Sequence, residues 1–272
     1  MTQVTISREQ APGGPVSAAE PFGNFKNIEK RFDLGGGESL TAIEQLSLTL
    51  EKGQLTSLLG PSGCGKTTFL RIVAGLEQAS AGEVRIEGQA ISGPHPDFAF
   101  VFQQPNLMPW RTVLENILFP LEIRRERTPA GVERAKELLD LVGLAGFENR
   151  YPSELSGGMQ QRVALCRALV YDARLLLMDE PFGALDELKR MEMHDLLLSI
   201  RARTNVSVLF VTHSISEAVY LSDIVAVFSS RPATISKLIS IDLPYPRQNE
   251  MRYEAAFTGY EHEAGRLLGI VR

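Results

Sequence analysis

The run Gly60-Pro61-Ser62-Gly63-Cys64-Gly65-Lys66-Thr67, followed by Thr68, fits the pattern G-x-x-x-x-G-K-[ST]. Such a run can wrap a polyphosphate. Its glycines let the backbone curl so that successive N–H groups converge on one phosphate. A helix beginning at its end adds about half a positive charge from its dipole. In this arrangement Lys66 reaches the β- and γ-phosphates and the Thr67 hydroxyl is a ligand for Mg²⁺. Read alone, the same residues also make an ordinary glycine turn.

A second group that can do chemistry is Asp179-Glu180, which closes the apolar run Leu175-Leu176-Leu177-Met178. Taken alone, this is also how a strand ends in solvated charge. With a phosphate loop upstream, Asp179 is placed to hold the metal and Glu180 to polarise an attacking water. A further candidate is the turn Ser156-Gly157-Gly158. Ser156 can cap a helix whose first glycines leave amides open to an anion.

These groups need a scaffold that brings distant segments together. LTSLLG reads as a short buried strand ahead of the loop, and KTTFLRIVAG as a helix after it, with Gly75 as its C-terminal stop. EVRIEG, FAFVFQ, RLLLMD, VSVLFVT and IVAVFSS are further strands with helical segments between the later ones. Alternating strands and helices predict an α/β fold with a mostly parallel sheet, whose ligands gather at the carboxyl ends of the strands. NFKNIEKRF and SLTAIEQLSLTL flank Gly35-Gly36-Gly37 as strands about a turn. From about 106 to 172 the character is helical. Thr112 and Glu115 form a capping box, Thr128-Pro129 opens a helix that stops near Gly143, and another runs from about Gly158 to Tyr171. Residues 1–22, rich in Ala, Pro, Gly and Ser, read as a loose leader, 23–250 as the nucleotide-binding domain, and 251–272 as a helical tail.

The totals narrow the partners. Net charge is −5, so no global basic field points to nucleic acid. The cysteines, Cys64 and Cys166, are too few for a disulfide framework and form no C-x-x-C zinc spacing, which fits a reducing cytoplasm. The N-terminal stretch lacks the apolar core of a signal peptide, and no apolar run approaches the ~20 residues that cross a bilayer.

A phosphate loop and an acidic strand leave kinases, GTPases and helicases open. Leu155-Ser156-Gly157-Gly158-Met159-Gln160-Gln161-Arg162 resembles the LSGGQ signature of ATP-binding-cassette (ABC) proteins and lies shortly before the acidic strand, as in that family. The resemblance covers roughly residues 24 to 245. It implies a P-loop NTPase (RecA-like) core with an antiparallel β subdomain and an inserted α-helical subdomain. It also implies that Gln103, in Val101-Phe102-Gln103, is a Mg²⁺ ligand that senses the γ-phosphate, although Gln104 is adjacent. Gly183-Ala184-Leu185-Asp186 is similar to the D-loop, His213 to the histidine that contacts the γ-phosphate, and Phe32 to the aromatic that stacks on adenine.

In the family, two subunits meet head to tail around two ATP molecules. The resemblance therefore implies a homodimer in which Lys66, Thr67, Asp179, Glu180 and His213 act on one nucleotide. Leu155, Ser156, Gly157, Gly158, Met159, Gln160 and Asp186 act on the partner's. Met159 in place of Gln, the LMPWRTVLENI stretch and the SRPATISKLISIDLPYPR tail are similar to ATPases of the nitrate, sulfonate, taurine and bicarbonate importers. That similarity implies integral membrane permease partners, a periplasmic or lipid-anchored solute-binding protein, and a peripheral place on the cytoplasmic face of the plasma membrane. An exporter ATPase remains open. Against a soluble cassette protein acting on ribosomes or DNA stand the single cassette and an interval from Lys66 to Ser156 too short for a long coiled coil.

Overall fold

In the computed structural model, residues 20–271 are described, so the expected leader lies outside the described residues up to residue 19. Its last residue, Phe22, is buried, and its carbonyl accepts the N–H of Glu87. Two sheets carry the fold. The first contains β1 (Gly23–Gly35), β2 (Glu38–Leu50), β4 (Ala81–Ile86) and β5 (Gln89–Ala90) in the order β2-β1-β4-β5, with antiparallel pairing throughout. The expected glycine turn joins β1 to β2, with positive φ at Gly35, Gly36 and Gly37.

The second sheet is six-stranded. It contains β3 (Leu55–Leu59), β6 (Phe98–Val101), β7 (Leu175–Asp179), β8 (Ser207–Thr212), β9 (Ile224–Phe228) and β10 (Ile235–Ser240), in the order β10-β9-β3-β8-β7-β6. All of its pairings are parallel except β10 with β9. A parallel sheet is covered on both faces, which explains the continuous apolar runs. Every residue of β8 is buried, and alternate side chains serve different cores. Val208 and Phe210 join the cluster under the helices, whereas Leu209 and Val211 join the cluster shared with the antiparallel sheet.

Helix α1 (Lys66–Val73) bridges the two sheets. Its Phe69 is fully buried, edge-on to Phe25 of β1 at 5.5 Å and to Phe228 of β9 at 6.1 Å between ring centres. Gly75 ends the helix at φ +69°, where a Cβ would lie 2.0 Å from the Gly93 carbonyl oxygen. Between β6 and β7 the chain forms α2 (Val113–Ile123), α3 (Pro129–Leu141), a 3₁₀ turn (Pro152–Glu154) and α4 (Gly157–Leu169). The Thr112–Glu115 capping box closes at 2.8 and 3.3 Å, and Thr128 caps α3 with Pro129 in its first turn. Then come α5 (Glu187–Thr204), α6 (Ile215–Leu221), a second 3₁₀ turn (Asn249–Tyr253) and α7 (Ala255–Leu267), whose Phe257 and Ala264 are buried. β10 is an addition to the sequence reading, since its Lys237 and mostly exposed residues resemble a surface tail.

Candidate nucleotide site

Register in the parallel sheet sets the site. Leu59 pairs with Thr212, Asp179 with Val211, and Val101 with Met178, so β3, β8, β7 and β6 end level with one another. The next residues on these strands are Gly60, His213, Glu180 and, one further on, Gln103. Strands lie about 4.8 Å apart, so groups remote in sequence share one rim.

The Gly60–Thr67 loop leaves β3 and enters α1 with positive φ at Gly63 (+73°) and Gly65 (+131°). A Cβ on Gly60 would lie 2.9 Å from Phe228 Cβ, and one on Gly65 would lie 3.0 Å from the Ala42 carbonyl oxygen. Both sites need glycine because neighbouring strands crowd the loop. The Lys66 ammonium is buried and folded back on the loop, donating to the carbonyls of Gly60 at 2.7 Å and Pro61 at 2.9 Å. Pro61, Ser62 and Gly63 are exposed at the loop's tip, and Thr68 sits half-buried in the first turn of α1. Cys64 is buried beside Gly60.

Thr67 and Asp179 come together. The Thr67 hydroxyl donates to Asp179 Oδ1 at 2.7 Å. Burial raises the Asp179 pKa, partly offset by the Thr67 bond and by the charges of Arg71 and Lys66. A carboxylate whose ionised form is penalised in this way gains from a cation. Among the described residues no cluster of three or more His, Cys, Asp or Glu side chains could hold a metal.

Glu180 adopts φ +44°, a left-handed conformation unusual for a side chain of its kind, and its N–H donates to Val211 O at 3.1 Å. The carboxylate meets His213 Nδ1 at 3.0 Å, with the histidine side chain 56% exposed. A Cβ placed on Gly183 would lie 3.9 Å from Gln103 Nε2 and 4.0 Å from Glu180 Oε2, so Gln103 faces the same space. Phe32 stands apart from these groups on the β1–β2 hairpin, half-buried, with Lys30 Nζ 4.8 Å from its ring centre. Two residues before it on β1, Lys30 pairs with Ile43, which approaches Gly65.

The Ser-Gly-Gly turn opens α4. Ser156 caps α4, accepting the Met159 N–H at 3.3 Å, with Gly157 open to solvent and Leu155 buried behind it. A Cβ on Gly158 would lie 3.4 Å from Lys189 and 3.9 Å from Leu185, so this turn adjoins Asp186. Asp186 caps α5, accepting the Lys189 N–H at 3.0 Å. Gln160 is tied to the preceding 3₁₀ turn through the Pro152 carbonyl at 3.0 Å.

Two connections were not foreseen in the sequence. Gln161 Nε2 donates to the Phe102 carbonyl at 3.4 Å, and Arg167 donates to the carbonyls of Pro105 at 2.7 Å and Asn106 at 2.9 Å. α4 thus holds the backbone on both sides of Gln103. The only hint in the sequence is that both polar side chains fall on the helix following the Ser-Gly-Gly turn.

A glycine-lined loop closing on a helix start, with a Thr–Asp pair and a Glu–His pair at neighbouring strand ends, defines a P-loop nucleotide-binding ATPase. The sequence model of the ABC transporter family matches residues 43–183. An uncharacterised ABC transporter ATP-binding protein of Methanocaldococcus jannaschii is 46% identical over 222 residues, 82% of this chain and 83% of the relative. An aliphatic sulfonates import ATP-binding protein of Bacillus cereus is 42% identical over 224 residues, covering 82% and 88%. A solved dimeric ATP-binding cassette in a post-hydrolysis state with ADP and Pi superimposes with a TM-score of 0.71 at 31% identity, covering 82% of this chain and all of the other. The chain belongs to the ABC transporter family, and it is an ATP-binding, ATP-hydrolysing subunit.

Proposed function

We propose that the chain powers import of a small anionic solute of the aliphatic sulfonate class, working as a homodimer beneath separate permease subunits on the cytoplasmic face of the membrane. The observation that carries the mechanism is the shared rim of Lys66, Thr67, Asp179, Glu180, Gln103 and His213 at aligned strand ends. The solute class is supported by the importer names of several relatives. Recognition of the solute itself falls to the permeases and to a solute-binding protein. No helix among the described residues is long and apolar enough to cross a membrane, which fits a subunit that docks on others.

In this reading Lys66 leaves the Gly60 and Pro61 carbonyls for the β- and γ-phosphates, and the N–H groups of residues 62–68 surround the β-phosphate. Thr67, Asp179 and Gln103 would hold Mg²⁺, which neutralises charge on the phosphate oxygens. Glu180 accepts a proton from the attacking water while His213, hydrogen-bonded to it, faces the γ-phosphate. Phe32 stacks on adenine. Ser156, Gly157 and Gly158 of the partner subunit, with Asp186 of the partner subunit, close over the same γ-phosphate, so ATP stabilises the closed pair and its hydrolysis weakens it. Pro109 and Trp110, exposed at the end of a stretch whose Leu107 packs against the core, provide the docking face for the permease, with Trp110 74% exposed.

Glu180→Gln tests the core of this scheme. It should bind ATP normally, lower turnover by roughly 10²-fold or more, and accumulate an ATP-bound dimer visible by size-exclusion chromatography. Wild-type turnover would remove Glu180 as the base.

A further inference from the structure

Behind His213 lies a buried polar chain that the nucleotide chemistry does not use directly. It begins at Arg252, in the 3₁₀ turn that precedes α7. The Arg252 guanidinium lies 3.8 Å from the Tyr220 ring centre and donates through Nη1 to Ser216 Oγ at 3.0 Å. Its Nη2 is 3.0 Å from His194 Nδ1. A guanidinium can only donate, so Nδ1 accepts and the imidazole proton sits on Nε2. That nitrogen donates to Glu217 Oε1 at 2.8 Å. The other Glu217 oxygen takes the Thr212 hydroxyl proton, and Thr212 Oγ1 accepts the Ser214 N–H at 2.9 Å.

Every link has its direction fixed, and His194 and Glu217 are only 2% and 6% exposed. The chain ends by gripping both neighbours of His213. His194 also packs its ring 5.7 Å from that of Phe182, in the segment between Glu180 and Asp186. The His213 imidazole, by contrast, is mostly solvent-facing. Its aim is set by its Glu180 contact at 3.0 Å together with the backbone that carries it.

We propose that Arg252 is a positioning residue for ATP hydrolysis, acting through His194, Glu217 and Thr212 to fix the backbone that presents His213. This rests on the reading of His213 as the γ-phosphate contact. Small misplacements of a reacting group can cost up to about 10²-fold in rate, whereas nucleotide affinity resides mainly in the phosphate loop. Loss of Arg252 should therefore act on kcat and not on KM.

The test is steady-state ATPase kinetics of the full chain with Arg252→Ala, Arg252→Lys, His213→Ala and the Arg252→Ala/His213→Ala double variant, together with ¹⁵N NMR of the histidine rings. Arg252→Ala should lower kcat roughly tenfold with KM for ATP within about twofold. Arg252→Lys, which keeps a donor for Nδ1, should recover much of the loss. The double variant should be no slower than His213→Ala alone. His194 should resonate as the Nε2–H tautomer in the wild type and as a mixture in Arg252→Ala. If Arg252→Ala does not fold, Thr212→Val tests the far end of the chain and should reproduce the kcat loss at unchanged KM. Normal kcat in either variant overturns the proposal. So does an Arg252→Ala loss that Lys does not restore and that adds in full to the His213 loss, which marks a general fold effect. A normal rate for His213→Ala would instead overturn the underlying reading of His213, whatever Arg252 does.

Discussion

Asp179 carries the sharpest consequence at the scale of single residues. Its carboxyl is held above the usual range by burial. In the folded state the ionised form is therefore penalised relative to the unfolded chain. The penalty is absent well below the ordinary carboxylate pKa, grows as pH rises through the two values, and is fully present at neutral pH. Asp179→Asn should accordingly raise the melting temperature of the nucleotide-free protein at neutral pH, with the gain vanishing in acid. The same variant should lose the additional thermal stabilisation that Mg-ATP gives the wild type. A melting temperature lowered at pH 7, or an undiminished Mg-ATP shift, would contradict this assignment. Glu180 makes a related point: a non-glycine residue held at φ +44° next to Asp179 is the kind of backbone cost that folded proteins retain at working sites.

Among the elements, α1 links the phosphate loop to both sheets, and Phe69 is its anchor. Phe69→Ala should cost about 3–5 kcal/mol in chemical denaturation, because the ring fills the contact between Phe25 and Phe228. A loss well under 1 kcal/mol would mean that α1 is held mainly by the loop. Elements were legible in the sequence where the signal is local. The strand–loop–helix around Gly60–Thr67, the Thr112–Glu115 box and the Ser156 cap each depend on residues within a few positions of one another. What was not legible depends on contacts across the fold. The bonds from Arg167 to Pro105 and Asn106, and from Arg252 to His194, join residues about sixty positions apart, and no periodicity announces them. β10 escaped because an edge strand half-exposed to water has the composition of a loop.

For the molecule as a whole, the proposal that one subunit's Lys66 loop and the other's Ser156 turn share a nucleotide makes complementation the decisive measurement. Lys66→Ala and Ser156→Arg subunits should each be nearly inactive alone. Mixed, they should recover hydrolysis, because a mixed dimer holds one site with an intact loop from one subunit and an intact Ser-Gly-Gly turn from the other. An activity equal to the average of the two variants would place both elements in one chain's own site. The arrangement of β3, β8, β7 and β6, ending level at one rim, was anticipated by the alternation of strands and helices. Their order in the sheet was not, since parallel strands of similar apolar composition carry no mark of their neighbours.

Trp110 is the chain's single tryptophan and stands 74% exposed beside the helical block. The protein thus carries one indole, which can be excited apart from its tyrosines, and it lies on the face proposed for the permease. Water-exposed indole emits at long wavelength, so docking in detergent or nanodiscs should shift the emission to the blue and shield it from acrylamide quenching. Spectra that stay unchanged in the assembled transporter would move the contact to another face of the subunit.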